Sequence, residues 1–228
     1  MNYLTKLLFL VSLAIPFHAL TQSSVKDFRL GSSATIISDE CIRLTPDVPY
    51  VSGSAWYKKA IDLTSSFEMQ ICLVLGEKDE EGADGISFVF HPTMRTGFRG
   101  EGMGFGGLVP SLGLEFDTYQ NFHLNDPEDD HLAVMTNGQT FHTLNSTPIL
   151  LPNLEDGERH KLKITWEPET TELKIYLHDE LQLTYKGDLI MQVFQGNSSV
   201  YWGITAATGR LSNYQDICIK KLIFAEVE

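Results

Sequence analysis

The feature that most constrains this chain is an alternation of apolar and polar residues, repeated in short runs along its length. In "FEMQICLVL", Phe67, Met69, Ile71, Leu73 and Leu75 fall on one side of an extended backbone, because successive side chains of a strand point to opposite faces. Leu162, Ile164 and Trp166 of "HKLKITW" share a face in the same way, as do Leu173, Ile175 and Leu177 of "ELKIYLH". "GISFVF", "VYWGITAA" and "ICIKKLIF" are further short strands, and "EGADG", "NLEDGE", "EPETT", "YKGD" and "QGNSS" are turns between runs. No stretch keeps a helical period over three turns, and there is no internal repeat, low-complexity tract or Pro-rich linker. Many short strands at such spacing predict an all-β fold, an antiparallel sandwich or barrel.

With 228 residues, 43% of them hydrophobic, the chain can bury a full core as one domain. Its first residues carry one lysine, an apolar run from Leu7 to Ile15, Pro16 and a small-residue region. This reads as a secretory signal, too short to span a bilayer, with cleavage near Ala19 or Thr21. The expected domains are residues 1–21 as signal peptide and 22–228 as the mature domain, secreted or periplasmic and not inserted in a membrane. Cutting there removes only Lys6, leaving 16 basic residues against 30 acidic ones, a charge of −14. An acidic chain with no basic run disfavours nucleic acid and anionic membranes as partners and suits divalent cations. An odd number of cysteines, Cys41, Cys72 and Cys218, allows at most one internal disulfide. A Cys41–Cys218 bridge between the terminal strands and three reduced, buried thiols are the two alternatives.

The stretch with the most chemistry is "EFDTYQNFHLNDPEDDH", residues 115–131. Alternation along "LGLEFDTY" sets Glu115, Asp117 and Tyr119 on one face and Leu112, Leu114, Phe116 and Thr118 on the other. A loop from about Asn121 to Asp130 can return Asp126 to the face carrying Asp117, and His131 opens the strand "HLAVM". Two unit charges ~4 Å apart repel by ~4 kcal/mol at an effective dielectric near 20. A divalent ion turns that repulsion into attraction. Asp117, Asp126, the Asn121 side chain and a Tyr119 carbonyl are an oxygen set that suits calcium. His131 adds a nitrogen that suits manganese or zinc. The bland alternative is a solvated acidic loop; an EF-hand is excluded, because the glycine that loop needs after its third ligand is missing.

This stretch resembles the metal-binding signature of the legume-type (L-type) lectins, which carry Glu, Asp, aromatic, Asn, Asp and His at offsets of two, four, six, about eleven and about sixteen. Positions 115, 117, 119, 121, 126 and 131 match each of them. "ADGISFVFHP", "WGITAATG", "HKLKITWEPETTELKIYL" and "GSAWYKKAIDL" are similar to other segments of the family, as seen in its bacterial members. The resemblance implies a concanavalin-like jelly-roll sandwich of antiparallel sheets. It implies a calcium site of Asp117, Tyr119, Asn121 and Asp126, and a second ion, manganese or similar, on Glu115, Asp117, Asp126 and His131. It implies glycans as partners, and a homo-oligomer through sheet edges. Asp84 of "ADG", after a cis peptide, would accept hydrogen bonds from sugar hydroxyls while Asn121 donates one. Tyr119 would stack on the sugar, Gly102 would bring a backbone N–H close, and Arg210 and Leu211 would line the last loop.

Other residues read more plainly. His91, His123, His142 and His178 are scattered, most of them read as surface or strand-end residues, and Trp56, Trp166 and Trp202 read as core rather than ligand platforms. The sandwich also hosts retaining glycosidases, which need two carboxylates about 5 Å apart. "EFDTYQN" supplies Glu115 and Asp117 but has Tyr119 or Gln120 where the second Glu belongs, and neither serves as acid/base. The expectation is therefore a calcium-dependent carbohydrate-binding protein with no catalytic residues, and a hydrolase is the alternative.

Overall fold

The computed structural model describes residues 24–224. The signal-peptide expectation lies outside them. Fifteen strands follow one another among the described residues: β1 (Phe28–Ser32), β2 (Thr35–Ile36), β3 (Cys41–Thr45), β4 (Ser52–Tyr57), β5 (Ile61–Asp62), β6 (Phe67–Val74), β7 (Gly85–His91), β8 (Leu112–Asp117), β9 (His131–Thr136), β10 (Ile149–Leu150), β11 (His160–Glu167), β12 (Glu172–Leu177), β13 (Glu180–Lys186), β14 (Ser199–Ala207) and β15 (Gln215–Ile223). The helical segments between them are single short turns, as the lack of a helical period requires.

The strands form two antiparallel sheets. The front sheet has eight strands, in the order β1-β4-β14-β7-β8-β9-β10 with β5 attached to β14. The back sheet has seven, in the order β13-β12-β11-β6-β15-β3-β2. Several neighbours are far apart in sequence, such as β4 with β14 and β3 with β15, and the chain crosses repeatedly from sheet to sheet. One apolar core lies between the sheets. Met69, Ile71 and Leu73 of β6, with Leu162, Ile164 and Trp166 of β11, meet Phe88, Leu114, Phe116 and Trp202 of the front sheet. This is the sandwich that the alternating runs predict, and all three tryptophans are buried in it or against it.

The outer faces of the two sheets differ. The back sheet's is polar along β11 and β12. The front sheet's is covered by the Gly-rich segment 94–108, which packs Phe105 and Leu108 on Trp56, Val89, Ala133 and Met135. Gly113 permits this, since a Cβ there would lie 2.7 Å from the Phe105 ring. The cysteine alternatives resolve as one bridge, Cys41–Cys218, with Cys72 reduced and buried beside it. Cys218 is register partner to both Cys41 and Cys72, so the three sulfurs sit side by side on adjacent strands.

Candidate functional site

Register assembles the site. Asp117, the last residue of β8, pairs with Gly85 on one side and His131 on the other. Directly opposed residues project to the same face, so His131, Asp117 and Glu115, two positions earlier, share the outer face of the front sheet. Asp84 immediately precedes Gly85. One end of the sheet thereby collects Asp84, Glu115, Asp117 and His131.

The strand stops at Asp117, so Thr118 and Tyr119 do not continue the alternation expected of them. Instead Asp117 turns the chain: its Oδ1 accepts from the Tyr119 N–H at 2.8 Å. Asp126 Oδ2 accepts from the Asn121 N–H at 2.8 Å, which folds the loop back as expected. Asp117 and Asp126 are both buried, whereas the side chain of Phe122, next to Asn121, is 80% exposed. The turn Gly100–Gly102 lies against this loop, with Glu101 3.0 Å from His123 Nε2. Gly102 is buried, and its N–H points at the Arg99 carbonyl at 3.3 Å. The last loop closes the site over Asp84: a Cβ on Gly209 would sit 3.2 Å from Asp84 Oδ1. Beyond it Arg210 is exposed and Leu211 half-buried. The Ala83–Asp84 peptide is cis.

One residue arrives from elsewhere. His142, read from sequence as a surface or strand-end residue, is 4% exposed. The loop after β9 carries it there, held by the His142 N–H on the Leu124 carbonyl at 2.9 Å and by Asn125 Nδ2 on the His142 carbonyl at 3.3 Å. Its Nε2 lies 3.2 Å from Glu115 Oε1, 3.3 Å from Asp126 Oδ1 and 3.2 Å from His131 Nε2. Glu115, His131 and His142 are the group among the described residues whose ligand atoms approach as a metal would require. No local signal marks His142, because its position depends on contacts back to the 121–126 loop.

The electrostatics follow from burial. Burial pushes the Asp117 carboxyl well above the ordinary carboxylate range, and the charges of Glu115 and Asp126 push it further. Burial also raises Asp126. For Glu115 burial acts upward too, but His131 and His142 prevail and hold it below its usual value. Burial would depress His142, yet Glu115 raises it. Burial, with the charge of Glu101, pushes Asp84 up to about 7.

Three buried oxygens of the site have no hydrogen-bond partner: Asp84 Oδ2, Glu115 Oε1 and Asn121 Oδ1. Buried acceptors left unpaired are rare and costly, so each asks for a proton donor or a cation. The donor set fits the ions that the sequence implies: a carboxylate with imidazoles at one position, and Asp117, Asp126 and an unpaired amide oxygen at the other. The hydrolase alternative fits poorly. Glu115 Oε1 faces the imidazoles of His131 and His142 at 3.7 and 3.2 Å, which fill the space that a substrate at a nucleophile would need.

Known proteins place these observations. Structures similar to this one include basic winged bean lectin with Tn-antigen (23% identity, TM-score 0.71, covering 89% of this chain and 94% of that one). They also include the Bauhinia forficata lectin in complex with GalNAc (19% identity, TM-score 0.73, covering 92% and 96%). At these identities the likeness is one of fold. Curated relatives include the pesticidal crystal protein Cry22Aa of Bacillus thuringiensis, 35% identical over 106 residues, or 45% of this chain. Another is the probable L-type lectin-domain containing receptor kinase I.5 of Arabidopsis thaliana, 27% identical over 162 residues, or 59% of this chain. The matches span 14% and 24% of those two proteins' own lengths. A family model for the legume lectin β-barrel domain matches residues 20–221, and with that match the chain belongs to the legume-type lectin family.

Proposed function

We propose that this chain is an exported lectin that binds glycans through a shallow site organised by calcium. The observation that carries the reading is the pair of unpartnered buried oxygens, Asp84 Oδ2 and Asn121 Oδ1, on segments joined by the Thr118 N–H, which donates to the Asp84 carbonyl at 3.0 Å. Asp84 accepts hydrogen bonds from sugar hydroxyls. Asn121 turns its amide NH₂ to the sugar and its oxygen inward, toward Asp117 and Asp126. Tyr119 supplies a backbone carbonyl inward and its ring outward, and exposed Phe122 adds apolar surface beside it. Arg210 and Leu211 lie at the rim. Gly102 presents its N–H to a sugar only by releasing or sharing its long bond to the Arg99 carbonyl. Calcium, when bound, offsets the negative charge of Asp117 and Asp126 and fixes the loop that carries Asn121. A second divalent ion belongs on Glu115, Asp117, Asp126 and His131.

A glycan array read in calcium and again after chelation tests this. Hits that vanish with chelator and return with calcium are expected; hits indifferent to chelation, or a calcium-loaded protein that binds no glycan, overturn it. Calorimetry then separates ligand contact from metal support. The ionised Asp84 carboxylate only accepts, and Asp84→Asn replaces it with a group that carries two donors. Losing a charged acceptor costs about 1.5–3 kcal/mol, roughly ten- to hundredfold in affinity. Glycan binding is lost while calcium affinity is kept. Asp117→Asn lowers calcium affinity first, and excess calcium partly restores glycan binding. An Asp84→Asn variant that binds the array hit normally moves the site elsewhere. Export is read from the mass of the processed protein, which begins near residue 22; an unprocessed chain retained in the cytoplasm counts against it.

A further inference from the structure

We propose that His142 is a ligand of the ion held by Glu115 and His131, and that this second imidazole makes the centre select zinc over manganese. The inference rests on the metal-loop reading above and goes beyond it in naming a ligand and an ion.

Tautomers carry the argument. His142 Nδ1 lies 3.0 Å from the Ser146 carbonyl and His131 Nδ1 3.3 Å from the Asp129 carbonyl. A carbonyl oxygen only accepts, so each Nδ1 bears the hydrogen. In the neutral rings both Nε2 atoms are then bare lone pairs, and they face each other at 3.2 Å. Glu115 Oε1 completes the triangle, 3.2 Å from His142 Nε2 and 3.7 Å from His131 Nε2. Three acceptors converge in a space where Glu115, His131 and His142 are 3%, 1% and 4% exposed. One proton satisfies one edge of this triangle, whereas one metal ion satisfies all three corners. The unpaired state of Glu115 Oε1 agrees with this. The imidazole nitrogens are near it but not in hydrogen-bonding alignment, as expected where lone pairs aim at a shared centre.

The distances suit a transition ion, and the choice among such ions rests on the donor atoms. Ligand atoms around a tetrahedral ion with bonds of about 2.0–2.1 Å lie ~3.3–3.4 Å apart, and the three edges bracket that value. Calcium prefers oxygen ligands. Among transition ions, affinity for nitrogen-bearing sites climbs from manganese toward copper and stays high for zinc, so a second imidazole widens the gap. The carbonyls of Ser146 and Asp129 hold both rings in the ligating tautomer, the arrangement that orients metal-binding histidines. Asp126 Oδ1, 3.3 Å from His142 Nε2, stands at the edge of the group.

The experiment uses the full chain, stripped of metal by chelation and titrated with zinc, manganese and calcium, alongside His142→Gln. Wild-type chain binds zinc more tightly than manganese. In His142→Gln, zinc affinity falls by at least ~10–100-fold, the range produced by disturbing even the outer partners of ligands, while manganese and calcium affinities change little. Equal losses for zinc and manganese, or no loss for zinc, overturn the inference. A readout without a variant guards against misfolding: cobalt-loaded wild-type chain shows two paramagnetically shifted, exchangeable imidazole N–H resonances if both histidines ligate, and one if His142 does not. Failure here with calcium-dependent glycan binding intact removes only His142 and zinc. A wild-type chain that binds none of the three ions removes the metal-loop reading itself.

Discussion

Strands β8 and β11 both lie inside their sheets with a partner on each side, yet they bury their residues differently. In β11 the inward residues His160, Leu162, Ile164 and Trp166 are buried and the residues between them are not. In β8 all six residues are buried. The difference lies in what covers the second face. Outside β11 there is water, so Lys161, Lys163 and Thr165 meet solvent or its edge. Outside β8 lie Phe105 and the loop that carries His142, so Glu115 and Asp117 are enclosed as fully as Leu114 and Phe116. A carboxylate on an uncovered sheet is an ordinary surface charge; under a cover it must find a cation or a proton. The same substitution, glutamate to glutamine, probes this at three positions.

The largest effect is expected at Glu115. Glutamine keeps the shape and removes the charge that faces His131 and His142. An ion that binds only the folded form stabilises it by ~4 kcal/mol at a thousandfold excess over its dissociation constant. At about 2–4 °C per kcal/mol for a domain of this size, that is a rise of roughly 10 °C in the thermal midpoint. Zinc or manganese should produce such a rise in the wild-type chain and little of it in Glu115→Gln. A variant that keeps the whole increment would mean that the cover, not an ion, resolves the buried charge.

That difference between faces also marks what was legible in the sequence. The back sheet was readable because solvent on one side imposes strict alternation, as in "HKLKITW" and "ELKIYLH". The two-sheet sandwich followed from many such runs. The metal loop was readable because its residues sit at fixed offsets along one continuous segment, from Glu115 to His131. Tyr119 was placed wrongly on the strand face, since nothing local says that Asp117 will accept the Tyr119 N–H and end the strand there. His142 was missed for a deeper reason. Its burial depends on the Leu124 carbonyl and the Asn125 amide, which become its neighbours only after the 121–126 loop has folded. Glu155 was equally hidden, since its partner Asn213 is 58 residues away.

Glu155→Gln tests a middle case, a carboxyl buried without a cation. Burial pushes Glu155 up to about 8, and its Oε1 accepts from Asn213 Nδ2 at 2.7 Å. The ordinary value is 4.5. Below that value the group is protonated in both folded and unfolded chains and costs nothing. Between there and pH 8 the unfolded chain ionises while the folded one does not, so the wild type loses stability as pH rises. Glutamine keeps the Asn213 contact and does not titrate. The two proteins should melt together near pH 4.5, and the variant should gain on the wild type as pH rises toward 8, by at most about 1.4 kcal/mol for each pH unit. Melts at several pH values in saturating calcium decide it. A constant difference across the range would mean that Glu155 does not titrate as its burial requires.

The smallest effect belongs to Glu172, on the open outer face of β12. Its carboxylate touches Lys174 Nζ at 2.8 Å and Lys186 Nζ at 3.5 Å, and Lys174 holds it below the usual carboxylate value. On distances alone this is a better-paired carboxylate than Glu115. Lys186 lies in water and Lys174 and Glu172 at its edge, however, where charge attraction is weak, screened by salt and opposed by the entropy of holding long side chains. Its pKa is depressed on folding, so whatever stability it contributes is present above the ordinary glutamate value and fades as pH falls through the lowered one. Glu172→Gln should therefore leave the thermal midpoint at neutral pH within the error of the melt, and leave zinc, calcium and glycan affinities untouched. Any small loss should disappear at high salt. A loss as large as that of Glu115→Gln, persisting in salt, would break the comparison, because it would show that the outer face of the back sheet is not the solvated surface its alternation describes.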